Sequence, residues 1–252
     1  MQNNDIQTQE NGNGGTLSAE ELAQFEQFKK AKLIKETQAR ISKVECDALS
    51  PSLTRTEIRA LCRESERVGL GGVCVLPAFV KPCVSWLGSD PVCSLITPVS
   101  YGHGGDTTDV KVKAAKRAVK DGADEIEVYV PVAAIKEGNL SYFKRECKKL
   151  KRACRPRTLR IVLDCSVLSE EELVRASLCA ADSGVNVVRL INSNGFACLP
   201  AVKSALKDRC LLKADAHSLL EMEEGEALGL SLVNCNGAID ICSRLLTAAK
   251  NS

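Results

Sequence analysis

The sequence lacks the features that mark membrane, secreted and zinc-binding proteins. No apolar run approaches the ~18 residues of a membrane span, and the first residues have neither the basic start nor the apolar core of a secretion signal. Only two histidines occur, and none of the 13 cysteines forms a C-x-x-C pair, so we expect no metal site. Because many cysteines lie in apolar stretches, we expect reduced thiols and a cytoplasmic protein.

The chain also has almost no excess of one charge sign and few aromatic side chains. Lys and Arg number 34 against 32 Asp and Glu, a net charge of +2, and aromatic residues make up 4% of the chain. These values disfavour sequence-specific nucleic-acid binding. The chain has instead an ordinary globular composition, 44% apolar and 26% charged, and its 252 residues match the length of one (β/α)₈ barrel.

The first 43 residues differ from the remainder. Residues 1–15 are rich in Asn, Gln and Gly and are predicted to be disordered. Residues 16–43 are predicted to form a helix, with Ser18 and Glu21 as a capping box at its start. Its rough apolar stripe indicates either a helix that closes one end of the domain or a helix that binds a partner. The stripe consists of Leu22, Phe25, Phe28 and Leu33.

The remaining part, 44–252, repeats one pattern eight times. Short apolar runs, each followed by a turn and a stretch of helical period, occur at 44–49, 73–77, 93–100, 125–130, 159–164, 187–191, 210–215 and 230–234. Continuous apolar runs are typical of parallel strands covered on both faces. Eight such units predict an α/β fold, a closed (β/α)₈ TIM barrel. No G-x-G-x-x-G follows the first run, so no dinucleotide cofactor is expected.

Charged residues interrupt the predicted strands. A charge that points into a barrel is costly unless it is paired, so several of these side chains should meet one another. They either form a structural ion-pair network or contribute to a site at the carboxyl ends of the strands, where barrel enzymes react. The residues are Asp47, Glu127, Arg160, Asp164, Arg189, Lys213 and Asp215.

Residues 122–139, GADEIEVYVPVAAIKEGN, resemble the deoxyribose-phosphate aldolase family. The segments 73–77, 101–104 and 168–189 extend this resemblance, which covers roughly 44–249. It implies a (β/α)₈ barrel that cleaves 2-deoxyribose 5-phosphate into acetaldehyde and glyceraldehyde 3-phosphate through a Schiff base. The family uses a lysine on the sixth strand as nucleophile, a second lysine on the seventh and a proton-relaying aspartate on the fourth.

The chain departs from this pattern at several catalytic positions. Arg189, or Ile191 if the alignment is counted back from the following glycine, stands where the resemblance implies the Schiff-base lysine. A guanidinium supplies essentially no free amine for attack on a carbonyl. Glu127 replaces the aspartate of the fourth strand, whereas Asp47 on the first strand and Lys213 on the seventh match the family.

The family's phosphate-binding segments are altered as well. The glycine pair expected after the seventh strand is replaced at 215–217 by Asp-Ala-His, and the closing turn reads Gly-Ala-Ile-Asp at 237–240 instead of Gly-Ala-Ser. Either acid would oppose a bound phosphate. The residues that remain as candidates for binding a small carbonyl compound or sugar phosphate are Asp164, Asn192, Ser193, Asn194, Gly195 and Gly237.

Two hypotheses follow for the function. The first is an aldolase-fold protein with little or no aldolase activity, which binds a protein or a small ligand. The second is an active Schiff-base aldolase in which Lys213 is the nucleophile and Arg189 lowers the pKa of this lysine by repulsion.

A basic segment suggests a binding surface. Residues 144–160 carry nine positive charges against one acid, and they indicate either a solvated helix face balanced by the acids at 221–226 or a docking site for an acidic protein or polyanion. Similar aldolases are often dimers, so a homodimer is a further possibility.

Overall fold

The computed structural model describes residues 18–193 and 196–252. Eight parallel strands pair in chain order, and the eighth pairs with the first, so the sheet closes into a barrel. The predicted (β/α)₈ fold is confirmed. The strands are β1 Val44–Ala48, β2 Gly72–Val75, β3 Ser94–Val99, β4 Glu125–Tyr129, β5 Thr158–Asp164, β6 Val187–Ile191, β7 Leu211–Ala216 and β8 Leu232–Cys235.

Helices surround the barrel. They are α1 Ala19–Ile41, α2 Arg55–Val68, α3 Val80–Leu87, α4 Thr108–Asp121, α5 Val132–Lys136, α6 Leu140–Cys154, α7 Glu170–Asp182, α8 Leu199–Leu206, α9 Leu219–Ala227 and α10 Ala238–Asn251, with a short 3₁₀ helix at Pro77–Phe79. Among the described residues, no helix is both long and apolar enough to cross a membrane.

Several helices begin where the sequence supplies a side-chain cap. Ser18 caps α1 together with Glu21, and Thr54 caps α2 together with Glu57, each as a capping box. Gly69 ends α2 in the left-handed conformation, which glycine adopts without strain. The predicted disordered tail, 1–15, lies outside the described residues.

The core and the candidate site occupy opposite faces of the same strands. Side chains of a strand alternate between its two faces. On β4, Ile126 and Val128 belong to the buried apolar layer between barrel and helices, whereas Glu125 and Glu127 point into the barrel and meet other charges there. The fold therefore places strand-borne charges in the barrel centre.

Candidate functional site

The strand register brings the interior charges together. Glu127 on β4 lies opposite Arg160 on β5, and Arg189 on β6 lies opposite Lys213 on β7. Because the parallel strands form a closed barrel, these side chains point from different strands towards the barrel axis. The structure thus joins in one network most of the charged residues that interrupt the predicted strands.

Arg189 is the central cation of this network. Its side chain is 2% exposed, and one terminal nitrogen, Nη1, donates to Glu127 Oε2 at 2.7 Å. The other, Nη2, donates to Asp47 Oδ2 at 2.7 Å and to Asp215 Oδ1 at 2.8 Å, and Nε donates to Asp215 Oδ1 at 3.2 Å. Three carboxylates from three strands therefore hold the guanidinium in place.

Lys213 is fully buried and also paired. Its Nζ lies 2.8 Å from Glu127 Oε1 and 2.6 Å from Glu45 Oε2. Burial and the neighbouring Arg189 guanidinium disfavour the ammonium form. The carboxylates of Glu127 and Glu45 outweigh both effects and hold the pKa of Lys213 above its ordinary value. The side chain is therefore an ammonium ion at neutral pH.

Arg160 neutralises the amino-terminal end of the barrel. It donates to both oxygens of Glu45 at 2.7 and 2.9 Å, and its Nε donates to Glu125 at 2.7 Å. Among the charged residues of this strand, Asp47 is a predicted interior residue and Glu45 is not. The signal was present: Glu45 and Asp47 stand two residues apart in β1 and therefore share the inner face.

The same contacts lower the pKa of the central carboxylate. Burial by itself would raise the pKa of Glu127, but the positive charges of Arg189 and Lys213 lower it well below its ordinary value. For Arg189, burial favours the neutral form, and the surrounding carboxylates outweigh it, so the pKa stands well above the ordinary value. Both groups therefore stay charged throughout the neutral range.

Negative charge is in excess in this network. Three cations face five carboxylates, a formal surplus of two negative charges. The cations are Arg160, Arg189 and Lys213, and the carboxylates are Glu45, Asp47, Glu125, Glu127 and Asp215. Asp47 and Asp215, at the carboxyl-terminal mouth, are 20% and 23% exposed. The mouth of the barrel is therefore acidic.

The predicted substrate-binding residues on β5 and β6 lie at the same mouth but outside the ion-pair network. Asp164 accepts hydrogen bonds from the backbone N–H of Ser166 at 2.9 Å and from Asn192 Nδ2 at 3.0 Å. Ile191 and Asp164 line a small cavity of about 210 Å³ together with His103. Ser193 is half-buried. Asn194 and Gly195 lie outside the described residues.

A larger cavity opens beside Asp47, between α2 and α10. Its volume is about 710 Å³. Gly237, which begins α10 with a positive φ of 76°, forms one wall. The other lining residues include Leu61 and Ile239, so the wall is largely apolar. His217, considered as a pocket residue because it closely follows Lys213, is exposed and does not line this cavity.

Two buried oxygen atoms next to the network have no hydrogen-bond partner among the described residues. They are Asp47 Oδ1 and Asn234 Oδ1. Asn234 uses its amide nitrogen to donate to Asp47 Oδ2 at 3.1 Å. The side chain of Asp47 also lines the large cavity.

The structure corrects the composition of the basic segment. Arg160 is 1% exposed inside the barrel and does not belong to the surface, whereas Lys144, Arg145, Lys148 and Arg152 of α6 are exposed. Among the described residues, no ion pair joins the acids of α9 to this helix, and two of them, Glu223 and Glu226, pair with Arg40 of α1.

Fold and site together define a (β/α)₈ barrel whose interior holds a lysine, two arginines and several carboxylates. No protein-family model matches the chain. It is 30% identical over 196 residues to the deoxyribose-phosphate aldolase of Metamycoplasma hominis, an alignment that covers 74% of this chain and 89% of that protein. It is 34% identical over 149 residues to that of Clostridium botulinum, covering 59% and 69%. The chain belongs to the deoxyribose-phosphate aldolase family.

Solved structures share the fold. The structure described as QR15, an aldolase, superposes with a TM-score of 0.75 at 25% identity and covers 82% of this chain and 96% of that chain. The deoxyribose-phosphate aldolase of Aeropyrum pernix has a TM-score of 0.71 at 17% identity, covering 92% and 100%. The resemblance stated from the sequence is confirmed.

Proposed function

We propose that this chain is an aldolase-family barrel that has little or no activity on 2-deoxyribose 5-phosphate and acts by binding. The observation that carries the proposal is the position of Arg189, which lies on β6, faces Lys213 and is held by three carboxylates. A guanidinium does not release the proton that an amine must lose before it attacks a carbonyl. Schiff-base formation on β6 is therefore absent.

Lys213 does not replace the missing nucleophile. A lysine nucleophile requires a lowered pKa and access to the substrate. Lys213 has a raised pKa, its side chain is 0% exposed, and two carboxylates lie within 2.8 Å of its Nζ. Its role in the proposal is to neutralise Glu45 and Glu127.

The acidic mouth further disfavours a sugar phosphate. Backbone N–H groups at the start of a helix suit an anion. At the start of α10, however, the first turn carries Asp240, and Asp215 near the end of β7 lies beside Asn234 of β8. The carboxylates of Asp215 and Asp240 would repel a bound phosphate, because like charges repel. The ligand that we propose for the 710 Å³ cavity beside Asp47 is therefore small and carries no phosphate.

The exposed cations of α6 are the second proposed binding surface, for an acidic protein or polyanion. Lys148 and Arg152 lie one turn apart on its exposed face. Poly-glutamate is a suitable probe: binding should weaken steeply as salt is added, because exposed charges are screened. Lys148→Ser/Arg152→Ser should weaken binding, whereas Lys113→Ser/Lys116→Ser on exposed positions of α4 should not. Equal losses in both variants would contradict the proposal.

Turnover and covalent trapping test the loss of aldolase chemistry. Purified protein is incubated with 2-deoxyribose 5-phosphate and assayed for acetaldehyde, then reduced with borohydride and analysed by mass spectrometry. We expect neither product release above buffer nor an adduct on an interior lysine. Lys213→Met is the matched control, because it removes the interior amine and keeps the surface lysines. An adduct on Lys213 that this variant lacks would establish the active-aldolase hypothesis instead.

A further inference from the structure

Two cysteines from neighbouring loops lie in contact at the carboxyl-terminal mouth of the barrel. Cys165 directly follows β5, and Cys198 directly precedes α8. Their sulfur atoms are 3.4 Å apart, although the two residues are separated by 33 positions in the sequence. Since the sulfur atoms of a disulfide lie about 2.05 Å apart, these two need to approach each other by about 1.4 Å to form one. We call Cys165 and Cys198 the thiol pair.

A second pair of cysteines provides a comparison. The sulfur atoms of Cys62 and Cys83 are 3.6 Å apart, but both residues are completely buried. Cys165 and Cys198 are half-buried, so solvent reaches both residues of the thiol pair. Contact between sulfur atoms is therefore common to both pairs, and access to solvent distinguishes the thiol pair.

Cys198 is the more reactive member of the thiol pair. It is the N-cap residue of α8, and a cysteine at a helix N-terminus is more readily ionised. The hydrogen bond that Cys165 donates to its sulfur lowers the pKa of Cys198 to about 7, although burial opposes this change. The same hydrogen bond, together with burial, raises the pKa of Cys165 well above its ordinary value. At neutral pH, Cys198 therefore supplies the thiolate that reacts with oxidants, and Cys165 stays a thiol.

We propose that the thiol pair is an oxidation site, at which hydrogen peroxide converts the two thiols into a reversible disulfide. The Cys198 thiolate attacks one peroxide oxygen, the O–O bond breaks, and hydroxide leaves, so that Cys198 becomes a sulfenic acid. The sulfur of Cys165 then attacks the sulfur of Cys198, the S–O bond breaks, and the hydroxyl group leaves as water with the proton of Cys165.

The two steps balance. The two thiols lose two electrons, and hydrogen peroxide gains them and becomes two water molecules, because the first hydroxide takes up the proton that Cys198 released on ionisation. A dithiol reductant restores both thiols by thiol–disulfide exchange, so reduced thiols remain the resting state in a reducing compartment.

The disulfide would join two loops that carry predicted binding residues. Asp164 directly precedes Cys165 and accepts a hydrogen bond from Asn192 at 3.0 Å. The backbone N–H of Cys165 donates to the carbonyl oxygen of Ile191 at 2.9 Å. Asp164 and Ile191 line the same small cavity. The oxidation state of the thiol pair therefore decides whether the loops beside this cavity are joined covalently, whether or not the barrel has aldolase activity.

Peptide mapping of the full chain tests the proposal. The reduced protein is treated with equimolar hydrogen peroxide, the remaining thiols are alkylated, and the protein is digested with trypsin. Cleavage after Lys and Arg places Cys165 in peptide 161–175 and Cys198 in peptide 190–203. We expect these two peptides to be joined by a disulfide that dithiothreitol cleaves. The absence of this linked product, or a disulfide between Cys62 and Cys83 that forms equally fast, would overturn the proposal.

Dimedone, which labels sulfenic acids, tests the role of Cys198. Cys165→Ser should accumulate the sulfenic acid on Cys198, because serine still donates a hydrogen bond to Cys198 and cannot form the disulfide. Cys165→Ser/Cys198→Ser should be labelled about tenfold more slowly or less, since a thiol of ordinary pKa is only about 3% ionised at pH 7. Cys165→Ser/Cys210→Ser is the matched control, because Cys210 is also half-buried but burial raises its pKa. It should be labelled as fast as Cys165→Ser, and equal labelling of all three variants would overturn the assignment of Cys198.

Discussion

In the part of the chain that the structure describes, charged side chains are buried in two places, inside the barrel and between α4 and α6. Lys111 of α4 and Glu146 of α6 form a single pair at 3.0 Å, with 0% and 1% of the side chains exposed. The second oxygen of Glu146 accepts from Thr108 at 2.6 Å. Inside the barrel, by contrast, a single carboxylate, Glu127, contacts both Arg189 and Lys213 and lies 3.5 Å from Arg160.

The difference separates a structural pair from the candidate site. A one-to-one pair is neutral, and an apolar pair of similar size can replace it. The barrel network carries surplus negative charge, and two of its carboxylates, Asp47 and Asp215, are partly exposed at the mouth. Burial and pairing by themselves therefore do not identify a site. A surplus charge at the carboxyl ends of the strands does, because the fold positions reacting groups there.

The largest effect on stability is expected from a substitution of Glu127, the carboxylate that Arg189 and Lys213 share. Glu127→Gln keeps the shape of the side chain and removes one negative charge from three neighbouring cations. Glutamine accepts through one oxygen only and turns an N–H donor towards Arg189 or Lys213, so a buried charge-assisted hydrogen bond is lost and the free energy of unfolding should fall by about 3–5 kcal/mol. Urea unfolding followed by circular dichroism measures the change.

Glu125→Gln is the matched control for this prediction. Glu125 contacts only Arg160 in the network and is 16% exposed. It should cost much less than Glu127→Gln, because water screens a partly exposed pair. If both variants lose the same stability, the shared position of Glu127 has no special energetic weight.

A smaller effect is expected at the isolated pair. Lys111→Met leaves Glu146 buried without its cation and should cost about 3 kcal/mol, whereas Lys111→Met/Glu146→Met should unfold within about 1 kcal/mol of the wild type. Urea midpoints of the two variants provide the test. A double variant as unstable as the single one would show that this pair is not replaceable, and the contrast with the barrel would fail.

The sequence predicts the barrel because its signals are local. Capping boxes at Ser18 and Thr54 and the positive φ at Gly69 depend on neighbours within a few residues, so they can be identified without a structure. The inward charges Glu127 and Lys213 stand out because they interrupt apolar strands.

The remaining features depend on contacts between distant segments. Lys111 is indistinguishable from a surface lysine until α6 brings Glu146 to it, 35 residues away. The cavity beside Asp47 requires α2 and α10 to meet, although they lie near opposite ends of the sequence of the barrel domain. The sequence places Arg160 both among the strand charges and in the basic segment, and the fold decides for the barrel interior.

The smallest expected effect is the response of the barrel network to mild acid. Glu45 has a pKa below its ordinary value near 4.5: burial would raise it, but the charges of Lys213 and Arg160 lower it. The pKa of Glu127 is also lowered. A carboxylate with a lowered pKa in the folded state stabilises the fold above the unfolded pKa, and this stabilisation is lost as the pH falls towards the folded pKa. Between pH 7 and 5 the contribution of these two groups to the free energy of unfolding should therefore be flat, with losses beginning below about 4.5.

Urea unfolding at a series of pH values should show a steeper loss below 4.5 for the wild type than for Glu127→Gln. Parallel curves would mean that Glu127 is not among the groups that titrate on unfolding, and the network would then resemble the neutral pair between α4 and α6.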